Sequence, residues 1–67
     1  MPEVIELLCG SYVTVYRCGK AESIVYGSGS DWMAQRADVT NHRDNWRHWF
    51  GDRSLAEEKA KELIRNG

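Results

Sequence analysis

No stretch of the sequence approaches the ~18 consecutive apolar residues that a membrane-spanning helix needs, and its opening, Met1-Pro2-Glu3-Val4-Ile5-Glu6, lacks the basic start and apolar run of a secretory signal. A cytoplasmic location is therefore expected. Charge of one sign is also missing. Nine Lys and Arg stand against ten Asp and Glu, for a formal net charge of −1, so the basic excess usual in proteins that live on phosphate backbones is absent. Cysteine is scarce, with only two residues, too few for a disulfide framework. There is no low-complexity tract and no internal repeat. What remains is 67 residues, 42% apolar and 28% charged, the composition of one small globular domain spanning 1–67. A chain of this size buries only about 60% of its unfolded surface, so each large apolar side chain counts.

The first third is rich in Val, Ile, Tyr and Thr and reads as strands over residues 3–9, 12–18 and 22–26. Gly10-Ser11 and Gly19-Lys20 separate them, and both pairs suit two-residue type II′ hairpin turns. Such turns set Cys9 opposite Tyr12 and Leu8 opposite Val13, then Arg17 opposite Glu22, Val15 opposite Ile24 and Val13 opposite Tyr26. The Arg17–Glu22 pairing supports the register, because opposite charges across a ladder attract. Val4, Leu8, Val13, Val15, Ile24 and Tyr26 then share one face, the better core by hydrocarbon content. Ile5, Leu7, Cys9, Tyr12, Thr14, Tyr16 and Val25 share the other, which is too apolar to be simply solvated.

Gly27-Ser28-Gly29-Ser30 reads as a flexible break before a helix start at Ser30 or Asp31. At the other end, Ser54-Leu55-Ala56-Glu57 fits a capping box. Ala56, Ala60, Leu63 and Ile64 have helical spacing, and acidic residues precede basic ones along the helix dipole. A helix over 54–66 is expected, packed on the aliphatic sheet face. Between these lies the aromatic segment, residues 31–53, with all three Trp, the only Phe, both His and four of the six Arg. Its spacing admits one helix from Asp31 to Phe50. Thr40-Asn41 and Asp44-Asn45 favour turns instead, and the preferred reading is a helix over 31–39, a loop over 40–44 and a strand over 45–50. The expected fold is thus α+β: a three- or four-stranded antiparallel meander, a Trp-rich connecting segment and a C-terminal helix on one face.

Chemistry is sparse in this pattern. Cys9, Cys18, His42 and His48 include the ligand types of a zinc site, but eight residues separate the cysteines and five the histidines, with no short cysteine knuckle. The register also sets the cysteines about 20 Å apart at ~3.3 Å per residue, too far for a disulfide. No metal and no cofactor is expected, and no nucleophile motif surrounds either cysteine, so no catalytic residue is assigned. In residues 31–53, Arg36, Arg43, Arg47 and Arg53 are matched by Asp31, Asp38, Asp44 and Asp52.

Two binding readings follow. Trp and Arg are the side chains that most often anchor protein interfaces, which nominates Arg43, Trp46, Arg47 and Trp49 as a partner-binding cluster, a homodimer being its simplest form. The alternative is a nucleic-acid surface of Tyr12, Tyr16, Arg36, Arg43, Arg47 and Arg53, with the tyrosines stacking bases and the arginines meeting phosphates. The interleaved aspartates weigh against it.

Overall fold

The computed structural model describes residues 3–37 and 47–65. Five strands, β1 (Ile5–Cys9), β2 (Val13–Cys18), β3 (Ala21–Ser28), β4 (Asp31–Arg36) and β5 (His48–Phe50), are followed by one helix, α1 (Arg53–Ile64). The strands form one antiparallel sheet in chain order, β1-β2-β3-β4-β5. This is the expected α+β meander with a C-terminal helix on one face, but with five strands among the described residues instead of three or four.

Local chemistry accounts for the turns. Gly19 has φ 63° and Lys20 is not in the positive region, the type II′ pattern in which only the first central residue needs it. Arg17↔Glu22, Val15↔Ile24 and Val13↔Tyr26 pair as expected, and the Arg17 guanidinium donates to the Glu22 carboxylate. The same device recurs unexpectedly at Gly29-Ser30, where Gly29 has φ 58° and Ser28 pairs with Asp31. Residues 27–30 are therefore not a flexible break but the end of β3 and a tight hairpin turn. The Trp32 indole N–H donates to the Gly29 carbonyl at 2.9 Å, fastening that turn.

That hairpin corrects the expected helix at 31–39: Asp31–Arg36 is a strand, joined edge to edge with β3. Trp32, Met33 and Ala34 are all buried, Met33 between its cross-strand partners Tyr26 and Trp49 on the side away from the helix, so the polar alternation that marks a half-exposed strand is absent. Trp32 and Trp49 accordingly belong to strands rather than to a connecting segment. The expected strand at 45–50 is present as β5 over His48–Phe50. Residues 45 and 46, and the expected loop at 40–44, lie outside the described residues.

Two further expectations are revised. The first hairpin pairs Cys9 with Thr14 and Leu8 with Val15, two residues further along β2 than a two-residue turn allows. The Gly10 amide donates to the Val13 carbonyl at 2.6 Å and closes the longer loop. A bulge between Glu6 and Leu8 then alters the register again. The helix begins at Arg53 with Asp52 as its N-cap, whose carboxylate accepts from the Ser54 amide at 2.9 Å. Ser54 is thus not the cap, and Glu57 is free to point elsewhere.

The helix covers the opposite sheet face from the one expected. Its buried stripe, Ala56, Ala60 and Ile64, packs in a core with Tyr16, Cys18, Ala21, Val25, Trp32 and Ala34, with Phe50, Leu63 and Val4, the last expected on the aliphatic face, at the margin. Thr14 and Ser23 are also fully buried. The reason lies in β4 and β5. The cross-strand pair Trp32↔Phe50 adds two large rings to this side, and two alanines let the helix backbone come close to it. The aliphatic face is left bare.

Candidate functional site

The bare face of the sheet is the feature of this fold that ordinary core packing does not explain. Its composition follows from the register. Val13, Tyr26, Met33 and Trp49 are successive cross-strand partners over β2 to β5, and therefore lie on one side. Leu8, Val15, Ile24 and Gln35 form the adjacent row. Met33 is fully buried, flanked by its partners Tyr26 and Trp49, which are 43% and 63% exposed. Leu8 and Ile5 are about half exposed near the β1 edge. A sheet normally buries one face and solvates the other; here the second face is apolar across its width. Contiguous exposed apolar surface of this kind is typical of interaction sites.

The charged groups of this face are few and mixed. Arg17 pairs with Glu22 at one end of the strands. Arg47, just before β5, donates to the Gln35 side chain at 3.3 Å, which puts it beside the Trp49 row. Asp31, two residues before Met33 on β4, lies on the same side. Two cations and two anions thus border the apolar rows among the described residues.

Of the expected partner-binding residues, Arg47 and Trp49 come together on this face, while Arg43 and Trp46 lie outside the described residues. Tyr26, Met33, Ile24, Val13, Val15 and Leu8 were not singled out from sequence as binding residues, although their alternation already set most of them on one face.

The residues of the nucleic-acid reading do not form one surface. Tyr12 is exposed before β2, but Tyr16 is only 6% exposed under the helix, with the Lys61 ammonium 5.8 Å from its ring centre. Burial first, and then the negative charges of Glu57 and Glu6, push the Tyr16 hydroxyl up to about 12. Arg36 pairs with Ser23 on the helix side of the sheet.

Arg53 is occupied in holding the fold. Its guanidinium donates to the carbonyls of Gly10 at 2.6 Å and Ser11 at 3.1 Å, and to the Thr14 hydroxyl at 2.8 Å. Thr14 in turn donates to Glu57 at 3.2 Å, and Arg53 also reaches Glu57 at 3.3 Å. The cation sits 5.1 Å from the Trp32 ring centre. This one side chain ties the start of the helix to the first hairpin.

The titratable groups once considered for metal or nucleophilic chemistry are dispersed. Cys9 is exposed on β1 and Cys18 is buried on β2. His48 lies on the helix side of β5, where burial and then the nearby Lys59 lower its pKa below 6.5. His42 lies outside the described residues. No described helix is long and apolar enough to cross a membrane. No protein-family model, no curated protein and no solved structure matches this chain.

Proposed function

We propose that the protein is a non-catalytic binding module that recognises another protein surface through the bare face of its sheet. The supporting observation is the apolar block itself. Tyr26 and Trp49 stand exposed on either side of the buried Met33, within aliphatic rows bordered by Arg17, Glu22, Arg47 and Asp31. Aromatic anchors inside a polar rim are the usual anatomy of a protein interface. The proposed contact residues are therefore Tyr26, Arg47 and Trp49, with the buried Met33 between the two rings, and Arg43 and Trp46 join them only as neighbours in sequence.

The test is capture by a tagged chain in its source cell, with the retained proteins and nucleic acids both identified. Trp49→Ala and Tyr26→Lys should each release the retained protein, including any untagged copies of the chain, while far-ultraviolet circular dichroism stays unchanged. Protein retention indifferent to both substitutions overturns the assignment of this face. A mobility shift with RNA or DNA that falls steeply with added salt would instead establish phosphate binding as the activity.

A further inference from the structure

We draw no further inference here: the strongest candidate, the β1 edge of the sheet with Ile5, Leu7 and Leu8 about half exposed, carries a bulge between Glu6 and Leu8 that blunts it as a pairing edge, and nothing in the structure shows what covers it.

Discussion

Replacing Arg53 by alanine should cost this protein most of its stability. The guanidinium donates to two turn carbonyls and one buried hydroxyl, at 2.6, 3.1 and 2.8 Å. It also pairs with Glu57 and lies over Trp32. Hydrogen bonds to charged groups contribute about 1.5–3 kcal/mol each, but the Arg53 side chain is 28% exposed, so each bond is taken at about 0.5–1 kcal/mol, the lower part of the range of ordinary bonds. The i,i+4 ion pair adds about 0.3–0.5 kcal/mol, and the cation–π contact about 0.5–1 kcal/mol. Arg53→Ala should therefore lose about 3 kcal/mol, when a domain of this size has only about 3–5 kcal/mol in total. In urea, with a slope near 1 kcal/mol/M for so small a chain, the midpoint should fall by roughly 2–3 M. Arg53→Lys keeps the charge but not the planar fork and should recover less than half of the loss. A midpoint that moves by less than about 0.5 M in the alanine variant would refute this account, and Arg53 would return to the list of groups available to a ligand.

Other outcomes follow from single sites. Gly27→Ala should destabilise by about 3 kcal/mol, because a Cβ there would lie 2.8 Å from the Trp32 Cα and closer still to the Asp31 carbonyl oxygen; thermal melting reads the loss. The Tyr16 hydroxyl titrates near 12 in the folded chain against 10.0 for the free side chain, so the folded state holds its proton longer. The stability this confers is complete below pH 10 and lost between pH 10 and 12; urea titrations at several pH values should show that slope, and Tyr16→Phe should remove it. His48 has the opposite sign. Its pKa is lowered in the fold, so its contribution is complete above pH 6.5 and declines as the pH falls below that value. His48→Gln should flatten the acid limb of the stability profile between pH 6.5 and 5.

How far the fold was legible depended on whether local chemistry or distant packing decided each element. The β2–β3 hairpin was readable because Gly19-Lys20 dictates its turn and Arg17–Glu22 confirms its register, both within a few residues. The stripe of Ala56, Ala60 and Ile64 likewise announced the helix. β4 was misread because Trp32, Gln35 and Arg36 have helical spacing and Met, Ala, Gln and Arg are good helix formers. The signal that could have found it was Gly29-Ser30, a further Gly-X pair of the kind that turns the β2–β3 hairpin. Once β4 is a strand, Trp32 and Ala34 fall on the Tyr16 side, and the choice of core face reverses. Counting hydrocarbon over the first three strands alone could not reveal this. The same omission hid the candidate site, since Val13, Val15, Ile24 and Tyr26 were assigned to a core. Trp49 and Arg47 were singled out because aromatic and guanidinium groups stand out by type, without regard to packing. The structural contacts of Arg53 were not legible, because its hairpin partners lie 39 to 43 residues away.

The strictly sequential strand order also bears on how fast the chain reaches and leaves its native state. Each strand pairs with the one just made, so the sheet can extend hairpin by hairpin, and closure of the β2–β3 and β3–β4 turns is a microsecond event. The cluster joining Arg53 to Gly10, Ser11 and Thr14 is different, because it links the start of the helix to the first hairpin across most of the chain. Loop-closure entropy favours forming such a link last. Stopped-flow measurements on a version of Arg53→Ala that remains folded in stabilising salt should therefore show accelerated unfolding with a nearly unchanged folding rate. The side chain that ties the start of the helix to the first hairpin would then also set the lifetime of the native protein.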